Sequence, residues 1–129
     1  MRVRVVDGWA DSPRALGALL LAVYALDIAY LLDHPSTPEL YTSGVRYAPE
    51  PDEIREDWAT IPVVLARGWG DCDDLAPWRA AELTVRQGVR AVPQLVRGNR
   101  PGQYHVVVRV SDGRWEDPSA RLGMRVEGL

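Results

Sequence analysis

Apolar and polar residues alternate along "RVRVV" (2–6), a pattern that predicts a short strand. The next segment changes period: "DSP" (11–13) reads as a helix start, with Ser12 as N-cap and Pro13 at the first helical position. The run "ALGALLLAVYALDIAYLL" (15–32) then predicts a helix ending before Pro35. Apolar residues occupy most of its circumference, which predicts a helix central to the core. The run is long enough for a marginal membrane span, but Asp27 lies inside it. A mid-bilayer Asp costs about 2.5–3.5 kcal/mol, so a buried helix is the expectation.

Residues 34–53 are rich in Pro, Ser, Thr and Gly and predict a long loop, with a short strand at Val45–Tyr47. "PDEIREDWATIPVVLARG" (51–68) reads as helical, broken in two by Pro62. A third helical pattern covers Cys72 to Gln87, with Gly88 as its stop. There Cys72, Leu75, Ala76, Ala80 and Leu83 share one face, and Arg79, Glu82 and Arg86 another. Val89–Val96, Tyr104–Val110 and Arg114–Asp117 read as strands. Helices followed by an antiparallel sheet predict an α+β fold in a single domain spanning 1–129.

Composition narrows the function. The net charge of -3 gives no support for binding a phosphate backbone. A single cysteine leaves no internal disulfide, so the fold suits a reducing cytoplasm. The opening residues lack the charged lead and apolar run of a signal peptide. All 15 basic residues are arginine.

That cysteine lies in "GWGDCDDLAPW" (68–78), at the predicted start of a helix. A helix N-terminus favours a thiolate through its unpaired N–H groups, whereas the flanking aspartates oppose one. Asp71 is a plausible cap, and Gly68 and Gly70 allow a tight entry. A histidine base could outweigh the acids. His34 falls in a solvated loop, whereas His105 opens the apolar strand "HVVVRV". Asp117, 12 residues on, can hold the second ring nitrogen from the neighbouring strand. This requires a hairpin tip of three or five residues centred on Ser111, or an equivalent bulge; Glu116 then faces solvent.

Asp71, Asp73 and Asp74 also raise a hard cation, but no EF-hand spacing or further oxygen cluster follows. One Cys with distant His is a poor zinc set. A helix start explains the acids better, and Asp74 could buttress the cysteine loop. No metal and no other cofactor is expected.

"GDCDDLA" (70–76), "HVVV" (105–108) and "DGRWEDPS" (112–119), with "VRYAPEPDEIREDWATIPVVLARG" upstream, resemble the transglutaminase-like superfamily of papain-fold thiol enzymes. The likeness is narrower to small bacterial and phage transglutaminase-like cysteine peptidases, and it covers roughly residues 45–123. The resemblance implies a papain-like core, with a nucleophile-bearing helix packed on an antiparallel sheet. It implies a triad of Cys72 as nucleophile, His105 as base and Asp117 as the residue orienting it. The Cys72 backbone N–H would serve the oxyanion, with Tyr47 and Trp58 as further candidate donors. It implies a peptide or protein substrate, and a bacterial cytoplasmic or virion-associated setting with phage structural proteins as possible partners. An acyltransferase with an amine acceptor and a non-catalytic binding or phage assembly module are the alternatives. Without lysine the chain cannot crosslink itself through its own lysine side chains. Pro77 departs from the plain apolar helix of such proteins. It either removes a bond to the Asp73 carbonyl or sits in a tolerated first turn, depending on where the helix begins.

Overall fold

The computed structural model describes residues 2–5, 12–49, 56–98 and 103–124, with side chains described in 12–49, 58–98 and 103–124. Its elements in chain order are β1 (Arg2–Val5), α1 (Pro13–Asp33), a 3₁₀ turn (Leu40–Thr42), β2 (Arg46–Tyr47) and β3 (Glu56–Ala59). There follow α2 (Ile61–Arg67), β4 (Trp69–Gly70), α3 (Cys72–Gln87), β5 (Ala91–Arg97), β6 (Tyr104–Val110), β7 (Trp115–Glu116) and α4 (Pro118–Arg121). The mixture of helix and strand is α+β.

The main sheet is antiparallel, in the order β5-β6-β7. Two small pairs flank it: β1 with β3 antiparallel, and β2 with β4 parallel. Helices α1 and α3 pack on one face of the sheet. Val106, Val108 and Val110 alternate along β6 into a core with Leu20 and Val23 of α1 and Ala76 and Ala80 of α3. A second core gathers Ile61 and Val64 of α2 around Leu75 and Trp78. Tyr24 ties the layers together, its hydroxyl donating to the Ala91 carbonyl at 2.7 Å and meeting Thr84 Oγ1 at 3.0 Å.

Ser12 caps α1 as its sequence predicts, accepting from the Ala15 N–H, with Pro13 in the first turn. The helix is not enclosed all round, however. One side carries Leu16, Leu20, Val23, Asp27 and Leu31 into the interior, while Leu21, Leu26 and Leu32 remain exposed. By length and apolarity α1 could cross a membrane, with 28% of its most apolar window buried in the fold. Asp27 lies on the interior side and accepts from the Ile61 N–H at 2.9 Å.

The helix expected across 51–67 is corrected. Residues 56–59 form β3, which pairs with β1, and the helix begins only at Ile61. Pro62 therefore occupies the first turn of α2, where its missing N–H costs nothing, and breaks no helix. Residues 51–55 lie outside the described ones. Strand β5 starts two residues later than its apolar pattern suggests, because Gly88 closes α3 in the left-handed region and the chain needs two residues to turn.

Glu82, on the polar face of α3, is 2% exposed and points inward. It accepts from the Leu40 N–H at 2.7 Å and pairs with Arg79 at 2.8 Å. Arg79 reaches on to Glu116, 2.8 Å away, and Tyr41 donates its hydroxyl to the same Glu116 oxygen at 2.9 Å. The guanidiniums of Arg79 and Arg121 both lie over the Tyr41 ring, at 4.6 and 4.2 Å from its centroid. Glu116 is thus a half-buried partner of α3 and not the solvated residue expected.

Candidate active site around Cys72

The approach to Cys72 is short and tightly packed. Helix α2 ends at Gly68, whose φ of 83° would strain any other residue. Gly70 has a different reason to be glycine. A Cβ there would meet Asp74 Cβ and Leu75 Cδ2 at 3.1 Å each, closer than packed carbons sit. A side chain at this position would force these packed neighbours to give way.

Asp71 is the N-cap of α3, and Cys72 is its first residue. The Cys72 N–H therefore has no acceptor within the helix. The Asp74 carboxylate accepts from the Asp71 N–H at 3.2 Å, the return half of a capping box. Asp74 is fully buried and does more than cap. It accepts from the Ala59 N–H at 2.7 Å and from Arg67 Nη2 at 2.7 Å. One carboxylate thus ties β3, α2 and the loop before Cys72 together, as the buttress reading of Asp74 anticipates. Arg67 also donates to the Trp69 carbonyl at 2.8 Å and lies 3.7 Å from that residue's ring centroid.

Helix α3 runs unbroken from Cys72 through Pro77, so the proline stands where it takes a bond from the Asp73 carbonyl. Asp73 itself is buried, with Oδ1 unpartnered. Burial first, and then the Asp71 charge, pushes its carboxyl well up. The same two causes push Asp74 up, against the Ala59 N–H and Arg67. Asp74 has a cation and two amide donors, so of the two Asp73 takes up a proton first. One oxygen from each of Asp71, Asp73 and Asp74 lies within 4.8 Å of the others, which is metal-like spacing. Both Asp74 oxygens already accept N–H bonds, from Ala59 and from Arg67 and Asp71.

His105 and Asp117 are in direct contact: Nε2 lies 2.8 Å from Asp117 Oδ2, with both side chains partly exposed. They meet by a different route from the one expected. The hairpin tip comprises residues 111–113, closed by the Val110 N–H to the Arg114 carbonyl at 2.9 Å. It is centred on Asp112, and Val108 pairs with Glu116. Continued, that register would set His105 opposite Ser119. Strand β7 stops at Glu116, however, and Asp117 becomes the N-cap of α4. There its carboxylate reaches diagonally to the imidazole while Oδ1 accepts from the Ala120 N–H at 3.2 Å. The expectation missed the cap, although "DPS" is a sequence signature for one.

The thiol lies beside the residue after the histidine. Cys72 is half-buried against the core that includes Val106, and the Val106 backbone N–H acts on its sulfur. Burial nonetheless pushes the thiol up to about 12, with the Asp71, Asp74 and Asp117 charges adding to the rise and the Val106 N–H opposing it. The sulfur is therefore a thiol at neutral pH in this arrangement. No residue pattern identified Val106 beforehand, because a backbone donor leaves no trace in side-chain identity.

Tyr47 belongs to the same neighbourhood. Its strand β2 runs parallel to β4, with Tyr47 paired to Gly70, and its N–H donates to the Leu122 carbonyl at 3.0 Å. Burial raises its hydroxyl, and the charges of Cys72, Asp71, Asp73 and Asp117 raise it further. The phenol thus stays protonated as a donor near Cys72 and Asp117. Trp58 lies elsewhere in character: it is 1% exposed, within the core shared by α1, α3 and β6. His34 is exposed at the end of α1, as expected, stacked on Tyr30 at 4.1 Å.

No family model, no curated protein and no solved structure matched this chain.

Proposed function

We propose that the chain is a small transglutaminase-like cysteine hydrolase of papain-like fold, acting on a peptide or amide bond. The observation that carries this reading is the 2.8 Å contact between His105 Nε2 and Asp117, one residue along β6 from the backbone donor to Cys72. With Nε2 held by Asp117, Nδ1 is the nitrogen left to accept a proton.

In the proposed cycle, Cys72 Sγ attacks the amide carbonyl carbon as its proton passes to His105 Nδ1. The oxyanion is met by the Cys72 N–H, with Tyr47 Oη as a second donor. Nδ1 returns the proton to the leaving amine, the C–N bond breaks, and a thioester remains. Water then attacks that thioester, giving its proton to Nδ1, and the acid leaves as the thiol is restored. Because the resting thiol is held at about 12, His105 works as a general base during attack rather than as half of a preformed ion pair. Hydrolysis is preferred to transfer onto an amine. A bacterial cytoplasm or a phage particle is the proposed setting.

The raised thiol favours one other reading, a non-catalytic module that keeps the fold and uses this surface to bind. Iodoacetamide alkylation of Cys72 across pH separates the two. A hydrolase shows an inflection near neutral pH, and His105→Ala slows labelling at pH 7 by at least about tenfold. Equal rates in both proteins, rising only toward pH 12, would overturn the enzyme reading.

A further inference from the structure

Helix α1 has its polarity turned round: its one interior carboxylate is Asp27, and its outward side is apolar. Leu21, Leu26 and Leu32 are 56%, 39% and 64% exposed. Between them lie exposed Ala18, Ala22, Ala25 and Ala29, which form the middle of the face. Arg14 and Asp33, both exposed, stand at its two ends. At 1.5 Å per residue the face is about 28 Å long.

The order of these residues is self-complementary. About a point between positions 23 and 24, Ala22 mirrors Ala25, Leu21 mirrors Leu26, and Ala18 mirrors Ala29. The same centre relates Arg14 to Asp33. A two-fold axis through that point would run two α1 helices antiparallel and bring each pair to one height. The alanines let the backbones approach to about 8 Å, with leucines closing the sides. At each end, Arg14 of one copy would lie across Leu32 of the other and reach Asp33.

We infer that the outward face of α1 is a self-association surface, and that its occupant is the same face of a second copy of this chain. A lipid surface would accept the leucines equally well. It gives no reason, however, for opposite charges placed at equal distances from one centre. The inference rests on α1 alone and is independent of any chemistry at Cys72.

Sedimentation equilibrium on the whole chain tests it. One helix face per copy is smaller than a standard interface, so dimers are expected with a dissociation constant on the order of tens of micromolar. Ala25→Glu should raise that constant at least tenfold while circular dichroism stays unchanged, since the position is exposed. Arg14→Asp alone and Asp33→Arg alone should each weaken pairing. The double exchange should restore it, an outcome that general damage to the fold would not produce. A wild-type monomer up to about 500 µM would overturn the proposal. So would dimers indifferent to these substitutions, or a monomer that binds phosphatidylcholine vesicles through Leu21 and Leu26.

Discussion

The two oxygens of Asp117 have separate tasks: Oδ2 holds His105, and Oδ1 accepts the Ala120 N–H that opens α4. Substitutions can part them. Asp117→Asn keeps a capping oxygen but loses the charge that stabilises an imidazolium. Labelling of Cys72 at pH 7 should fall by about 10²-fold or more, with little change in melting temperature. Asp117→Ala should lose the cap as well, lowering stability by about 1 kcal/mol in a denaturant titration. Asp74 is a harder case. Asp74→Ala would leave Arg67 beside an empty buried site and release the Ala59 N–H. A loss of about 3–5 kcal/mol is expected by chemical denaturation. Of these features, the His105–Asp117 contact was legible in the sequence, because few residue types can make it. The Val106 donor was not, because any residue supplies an N–H.

At the scale of elements, patterns with a fixed period were the readable ones. The spans of α3 and β6 match their apolar spacing, and the start of α1 matches its cap and proline. The misread stretch was 56–60, where "EDWAT" suits a helix until β1 offers β3 a partner 51 or more residues away in sequence. Such pairing is settled by tertiary contact and leaves only a weak local pattern. The 105–117 contact was anticipated for a reason that proved incorrect: the register is shifted, and a helix cap makes up the difference. Close packing at the α3 entry gives this scale its test. Gly70→Ala forces a methyl to 3.1 Å from Asp74 Cβ and Leu75 Cδ2. About 1–3 kcal/mol should be lost, read from the urea midpoint, and Cys72 labelling should change with it.

For the whole molecule, Asp27 couples stability to pH. Burial raises its carboxyl to about 8 against a single Ile61 N–H that lowers it. A carboxyl raised on folding binds its proton in the native state while the unfolded chain has released it. The contribution of Asp27 to stability therefore falls as pH rises from about 4 to about 8 and levels off above that. Asp27→Asn removes the titrating group, so its melting temperature should vary less across that range than the wild type's. A steeper fall in the variant would show that another group governs the pH dependence.

One circuit runs through the elements already described. From Cys72, helix α3 leads two turns along to Arg79, and Arg79 holds Glu116. Glu116 is bonded in sequence to Asp117, which holds His105; His105 adjoins Val106, whose N–H returns to the sulfur. Every link but the one from Val106 to Cys72 is a covalent bond or a hydrogen bond between side chains. Cys72, His105 and Asp117 thus lie on one ring of contacts that closes on itself, in the manner of a braced frame. Slack at any joint must be shared by all the others. The Arg79–Glu116 joint carries no chemistry of its own, yet it ties the strand that leads into Asp117 to the helix that begins at Cys72.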